Sequence, residues 1–583
     1  FKKINFENPR EVERFLNRLG DPKLKDYLWD FWYNSILSGI PTHLVNVASN
    51  TAWGMFQIPM RGLAGGLDKM IVQFTGKERQ RYVSEMLPMF AGFKTGIPRG
   101  AKRALETAKT GEPPLDLDTK WDIELGASVS AFERSPYPIL RKVAPYLTLA
   151  TRALRTMDVW ANSIAFDQQI NALAERAARN KGLKGEAKKD FVLNLRENPT
   201  KKMIDDAKAF AKYSTFMDDP GKFTAWVNSG RGKIWFSRFF LPFINTPGNL
   251  MERGIEMTPT IGLVRSKEYY ESQAAADVMA KQLVGSVLAL YMFYKASEDE
   301  IIGRAPKNKS EREAFYRQNK KAYSIKYGDE WIQYRRIEPF NTVIASTAIA
   351  YEEMKNEKDE ATGIELFART AEGIVDNLLE SSYMQGLATL FDKYGKREQM
   401  IKRMAGSFVP YSSFWRSINR SFEAATKGEA KYRPAKTFLD AFTQVIPGLS
   451  DKTPAALNVW GEEVVLEGGV LRQWLPWKWS KETDSRLEKE LERVGYYPSL
   501  PNKKMTINRV EVELPDDFYR DYAIMYGKAL RTRLEIVSKG TVKMEPEDAL
   551  NIQYIPTVIG LKRAFLNKAK AMYIKKYGKP SEK

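Results

Sequence analysis

The 583-residue chain has no cysteine and one histidine, His43. The first absence excludes disulfides, thiolate zinc sites and cysteine nucleophiles. The second excludes a multi-histidine metal site, and a Ser-His-Asp triad would have to use His43. Phosphate-binding loops are also missing. Gly65-Gly66 and Gly230-Arg231-Gly232-Lys233 are glycine-rich, but Lys233 is followed by Ile234 rather than Ser or Thr, and no GxGxxG follows a strand. No repeat of solenoid type is visible. Charge is absent from Phe31 to Met60. The chain begins with Phe1 and no signal-peptide pattern follows, which reads as a processed product or a piece of a longer polypeptide. On this reading the protein needs no cofactor and no metal.

What is present is ordinary for a folded protein: 43% hydrophobic and 28% charged residues. A chain this long buries a sizeable core, so disorder throughout is excluded. The ionic balance is uneven. Ninety-one Lys and Arg stand against 72 Asp and Glu, a net +19, which favours a polyanionic partner, nucleic acid or an anionic membrane.

Helical spacing dominates. Val159 to Ala178, Lys201 to Tyr213 and Lys267 to Ala296 carry apolar residues three and four apart. The fold class expected is mainly α: an elongated multi-helix assembly with one small β-hairpin at about 322–335 and an extended Pro/Trp-rich arm. The hairpin is expected from Tyr323, Ile325 and Tyr327 alternating with polar residues before Gly328-Asp329 and Trp331-Ile332. It is the only clear strand pair; a second candidate joins Glu462–Leu466 to Val470–Trp474 through Gly468-Gly469. The arm, 435–504, holds Pro447, Pro454, Pro476, Pro498 and Pro501 with Trp460, Trp474, Trp477 and Trp479. It wraps either the helical body of its own subunit or a neighbour. The units expected are an N-terminal helical region (1–125), a central helical region (126–300), the hairpin insertion (301–340), a further helical region (341–434), the arm, and a C-terminal helical region (505–583) with a basic end.

No catalytic site stands out. Carboxylate pairs such as Asp205-Asp206, Asp218-Asp219 and Asp516-Asp517 are numerous, and Asp516 suits a helix start. His43 reads as a buried structural hydrogen bond, with a pH switch as the sharper reading. The charge-free stretch is long enough to span a bilayer, but Asn34, Asn46, Ser49, Asn50 and Gln57 interrupt it. It reads as a membrane-inserting segment or as two buried helices joined at Gly39-Ile40-Pro41, with Trp32, Trp53 and Phe56 as candidates to face a membrane or a subunit. Gln282 to Tyr294 is charge-free but short for a span, and reads as a buried helix or re-entrant segment. The candidates for contact with DNA phosphate or anionic lipid are Arg99, Lys102, Arg103, Lys562, Lys568, Lys570, Lys575 and Lys576. The last five sit on a basic amphipathic helix, and an ordinary docked surface helix is the alternative. No base-reading motif is present, so contact with DNA would run through the backbone.

Four segments together resemble a family. They are Asn34-Ser-Ile-Leu-Ser-Gly-Ile-Pro-Thr-His-Leu-Val-Asn-Val-Ala-Ser-Asn50; Arg238-Phe-Phe-Leu-Pro-Phe-Ile-Asn-Thr-Pro-Gly-Asn249 with Glu256-Met-Thr-Pro259; Ile302-Gly303 through Tyr323–Gly328 and Trp331–Tyr334 to Ile337-Glu-Pro339; and Ile446-Pro-Gly-Leu-Ser450 with Pro454, Trp460-Gly461 and Leu491 to Pro501. In this order they resemble the helical region of large internal virion proteins of tailed, podovirus-like bacteriophages, and segments of large polyvalent phage proteins. The resemblance spans about residues 30 to 530. It implies a non-enzymatic ejection protein, held inside the virion and then in the host cell envelope. There a ring or tube of copies would form a conduit for the genome, with double-stranded DNA, the portal, other ejection proteins and the host membrane as partners. Some relatives carry a lytic transglycosylase or a polymerase elsewhere in the polypeptide, and no catalytic residues carry over. The alternatives are a structural core or portal-associated protein that stays in the particle, a non-catalytic fragment of a larger peptidoglycan-degrading virion protein or an enzyme fragment of the peptidoglycan-lyase kind, and a host-directed DNA-binding protein.

Overall fold

A computed structural model describes residues 21–114, 116–117, 119–120, 130–233, 242–259, 275–306, 308–356, 407–435, 437–446, 448–466 and 468–580. The fold is mainly helical (67%) with a few small antiparallel sheets, the class expected. The charge-free stretch forms parts of two helices, α1 (Leu24–Leu37) and α2 (Ile40–Thr75). Gly39 is extended, and Pro41 sits in the first turn of α2, where a missing N–H leaves no helical bond unmade. Gly39-Ile40-Pro41 therefore starts a helix as much as it ends one.

The helices α3 (Met86–Thr110), α4 (Pro138–Leu147) and α5 (Leu149–Asn180) follow. Gly92, Gly96 and Gly100 recur every fourth residue and form one bare ridge on α3. A Cβ on Gly92 would stand 2.5 Å from the Asp167 carbonyl oxygen, one on Gly96 2.8 Å from Ile164 Cα, and one on Gly100 2.9 Å from the Trp160 carbonyl oxygen. The ridge lets α3 touch the backbone of α5. Helices α6 (Gly185–Glu197) and α7 (Lys201–Ser214) return over α5, and Met203 and Ala207 of α7 meet Ile170, Leu173 and Ala174. The Thr200 hydroxyl caps α7 by accepting from Met203 N–H at 3.3 Å.

After α8 (Lys222–Lys233) and α9 (Asn245–Met257) comes α10 (Ala275–Ser297). The expected start of that helix, 267–274, lies outside the described residues. Ala276 and Ala280 of α10 pack on Ala64 of α2. The next elements are β1 (Ile301–Ile302), α11 (Lys309–Arg317), β2 (Ser324–Tyr327), β3 (Glu330–Gln333), α12 (Phe340–Asn356) and α13 (Ser412–Lys427). The expected hairpin is β2–β3. Ile325 faces Ile332 and Tyr327 faces Glu330, so Gly328-Asp329 is a two-residue turn.

The Pro/Trp-rich arm holds only short elements: α14 (Phe438–Thr443), α15 (Gly469–Arg472) and α16 (Arg486–Arg493), while β4 (Ala430–Lys431) precedes it and β5 (Val465–Leu466) and β6 (Trp479–Lys481) lie within it. It packs on its own subunit. β6 joins β3 as the edge of a sheet ordered β1-β2-β3-β6. Trp460 is buried, and its Nε1 donates to Glu488 at 2.9 Å. The second expected strand pair is not formed: β5 pairs with β4, and 469–472 is a helical turn. The hairpin at 322–335 is not the only one. β7 (Lys504–Ile507) and β8 (Val510–Glu513) pair around Asn508-Arg509, both at positive φ (50° and 66°), the twist a two-residue turn favours. This hairpin adds Met505 and Ile507 to a C-terminal core with α17 (Asp516–Thr541) and α18 (Ile555–Tyr577).

The glycine ridge yields a paired prediction. Gly96→Ala forces backbone apart and should destabilise the fold by about 1–3 kcal/mol. Gly66→Ala, mid-helix in α2 with nothing within 4 Å of the new carbon, should stabilise it by about 0.5–1 kcal/mol. Urea unfolding of the two variants beside the parent checks both; equal effects would contradict the ridge.

Candidate interaction surfaces

Of the three aromatics expected on a membrane or subunit surface, Trp32 and Trp53 lie inside the chain and Phe56 is half-buried against Trp53. Trp53 is fully buried, with Phe216, Phe340 and Phe56 around it, and its ring is 5.8 Å from Phe56 and 5.7 Å from Phe340. Phe56 stands edge-on to Phe340 at 4.8 Å. Trp32 is buried, and its Nε1 donates to the Ser407 hydroxyl at 2.7 Å. This is a correction with a simple cause. Large aromatics contribute more by packing on α5, α7 and α12 than by facing outward. The asparagines of the stretch bridge helices: Asn34 Oδ1 accepts from the Thr151 N–H and hydroxyl, and Asn46 Nδ2 donates to Asp158.

The basic residues of α3 divide. Arg99 donates to Asp167 at 2.8 Å, and Arg103 to Asp116 at 2.5 Å. Both charges already meet carboxylates of the same chain, which weakens them as phosphate ligands. Lys102 is exposed. The basic residues of α18 are different. The helix docks by Val558, Ala569, Phe565, Leu566 and Tyr573 onto α17, as a surface helix would. Lys562, Lys568, Lys575 and Lys576 point outward, and Lys570 is half-buried. None of the five forms an ion pair with a described carboxylate. The helix thus keeps an uncompensated cationic outer face.

Helix α10 is neither fully buried nor a short re-entrant piece. Among the described residues it is the one helix long and apolar enough to cross a membrane. One side packs inside, with Gly285 against the Met257 backbone and Met292 and Ala296 in the core under the hairpin sheet. The other side exposes Met279, Leu283, Val287, Leu290, Tyr291 and Tyr294.

A cleft of about 880 Å³ lies between α2, α5, α7 and the start of α10. Its walls hold charges of both signs, most of them already paired. Glu85, fully buried, receives Arg61 at 3.1 Å and Arg176 at 2.8 Å. Arg81 binds Asp277 at 2.6 Å. Burial and neighbouring Arg81 pull Arg61 down to about 10, so it remains charged at neutral pH. Burial would raise the Asp277 carboxyl, but Arg81 and Arg61 outweigh it and hold it below its ordinary value. Deeper, Arg253 and Lys281 both lie over the Tyr213 ring, 3.8 Å and 4.6 Å from its centre, and Lys281 donates to Glu256 at 2.7 Å. These ion pairs draw on side chains of α2, α5, α9 and α10, and removing one partner strands the other in low dielectric.

Of the carboxylate pairs, Asp516 opens α17 and pairs with Lys503 at 3.0 Å. Asp206 and Asp218 both line the cleft. Burial raises the Asp218 carboxyl, and Arg253, to which it is bound, opposes that rise. Among the described residues no three His, Asp or Glu side chains cluster as metal ligands. His43 is buried with Nδ1 unpartnered, and burial lowers its pKa, which moves any titration further below neutrality.

A pH effect is expected from Glu338, between β3 and α12. Burial lifts its carboxyl from the ordinary 4.5 to about 7, against the pull of Lys120 and Arg336. The folded state prefers the protonated form, so stability is retained at low pH and lost as pH rises through about 7. Glu338→Gln should therefore stabilise the protein at pH 8 by about 2–4 kcal/mol and change little at pH 4.5. Denaturant melts at the two pH values test this, and a gain of equal size at both would contradict it.

No protein-family model matches the chain, and no curated protein or solved structure matches it significantly.

Proposed function

We propose that this is a non-enzymatic, mainly helical ejection protein of a tailed phage. It is stored in the virion, released at infection, and assembled into a ring or tube that conducts the genome across the host envelope. The observation that carries the reading is α18, a helix docked by its apolar stripe with an outward row of lysines that no described carboxylate neutralises. Such a face meets a polyanion through charge and not through base sequence. The net +19 and the exposed apolar side of α10 are consistent with DNA, bilayer and subunit contacts. A chain without disulfides has no covalent cross-link to hinder passage through a portal.

Two experiments test this. Full and emptied particles are compared for the chain, and infected cells are fractionated for it in the envelope. Loss from emptied particles and appearance in the envelope is expected; full retention in emptied particles would assign it to the structural alternative. The second uses Lys562, Lys568, Lys575 and Lys576 changed together to Ala. If all four contact phosphate, the slope of log binding constant against log salt for duplex DNA should shrink by about 3–4. An unchanged slope would remove α18 from the DNA path.

Among the described residues, a peptidoglycan-degrading reading can be placed on the cleft with Asp218. Burial raises the Asp218 carboxyl there, the direction a general acid requires, and Arg253 opposes that rise. Wall clearing by the purified chain, abolished by Asp218→Asn, would favour that reading over the one proposed.

A further inference from the structure

Two helices carry apolar faces that meet no partner among the described residues. The face of α10 consists of Met279, Leu283, Val287, Leu290, Tyr291 and Tyr294, each 40–72% exposed. Leu283, Val287, Leu290 and Tyr294 are spaced four, three and four apart, the seam that takes another helix. The second face belongs to α4. Ile139, Val143 and Tyr146 lie along one side, Tyr137 and Leu149 stand at its two ends, and the five are 37–76% exposed. At roughly 200 Å² per large side chain, each face offers on the order of 600 Å². That is about the upper end of what a monomer leaves open as one patch, and the two areas match. Joined, they would bury about 1,200 Å², enough for a specific interface.

Their charges are complementary. The α4 face is flanked by Arg141 and Lys142, both exposed, and α4 has no acidic residue. Neither cation forms an ion pair with a described carboxylate; Arg141 donates to the Ser135 and Pro136 carbonyls. The α10 face ends at Glu298-Asp299-Glu300, at the negative end of the helix dipole. Asp299 is shared with Lys355 and Glu300 with Lys295, while Glu298 has no cationic partner among the described residues. Pairing α4 with α4 would bring the four cations of two copies together. Pairing α10 with α4 brings opposite charges together.

From this we infer that the chain self-associates head to tail, the α10 face of one copy seated on the α4 face of the next. Such a contact is heterologous and therefore propagates, closing into a ring where the rotation permits. A bilayer is the poorer occupant of α10. Crossing one would strip its inner side from Met257 and from the core beneath the hairpin, whereas a second copy covers the outer side with no rearrangement. The inference rests on the oligomeric part of the proposed function and names the surfaces that would build it.

The test is mass photometry and sedimentation of the purified chain with Leu290→Glu (α10) and Ile139→Glu (α4). Both sites are exposed, and unchanged thermal melts confirm folding. The parent should grow into oligomers with concentration. Each variant alone should associate at least tenfold more weakly. An equal mixture of the two should form dimers and stop there, since each retains one good face. A parent that stays monomeric at tens of micromolar overturns the inference. So does a variant that associates like the parent, or a mixture that stays monomeric. Vesicles containing phosphatidylglycerol form a second arm: a monomeric parent that binds them through Leu290 would assign α10 to lipid and overturn it too. Failure here with the chain still leaving the virion would sink the contact alone; intact association with retention in emptied particles would sink the ejection reading alone.

Discussion

Helix α5 is buried along nearly its whole length and is polar along much of it. Asp158, Asn162, Asp167, Gln168, Gln169 and Glu175 all lie in the interior. A polar group out of water must find a partner or be costly to keep there. Four of its neighbours, α1, α2, α3 and α6, supply such partners, while α7 meets it through apolar residues. Helix α1 offers Asn34 to Thr151, and α2 offers Asn46 to Asp158, the Gly54 carbonyl to Gln168 and Arg61 to Gln169. Helix α3 offers Arg99 to Asp167, and α6 offers Lys188 to Glu175. The glycine ridge on α3 brings one of those neighbours to backbone contact. Close approach and polar satisfaction are here one constraint.

That constraint explains why the outer surface is the informative one. Arginines near α5 neutralise carboxylates of the same chain, so they hold the fold and leave little charge outside. Cationic charge without a described carboxylate partner stands on α18, as it does at Arg141 and Lys142 of α4, and α18 packs on α17 through its apolar residues. Apolar surface likewise remains exposed on α10, whose inner side packs in the core, and on α4, which buries Ala144, with no described residue covering either outer face.

Much of the architecture is legible in the residues because it is local. Helical spacing shows in Val159–Ala178 and Lys201–Tyr213, and alternation shows in Tyr323–Tyr327. The hairpin at 504–513 carries the same alternation, but its turn is Asn508-Arg509 without the glycine that marks the other, so the signal is weaker. What stays hidden is long-range. Arg99 meets a carboxylate 68 positions away. Whether Arg99 contacts DNA or Asp167 depends on which helix lies beside α3, and single-chain spacing carries no such information. The Gly92-Gly96-Gly100 spacing was readable and predicts close helix contact. The uncharged stretch around Trp32 and Trp53 looks the same whether lipid or α5 covers it; only packing distinguishes them.

The central claim is that copies of this chain enclose a DNA path with α18 turned toward a polyanion. Electron imaging of the assembled protein, free and on a membrane, with α18 marked by a C-terminal label, tests it most directly. The account predicts a closed ring or tube with the label at the lumen or at the membrane face. Closed assemblies with every label on the outer wall, away from DNA and lipid, would contradict it.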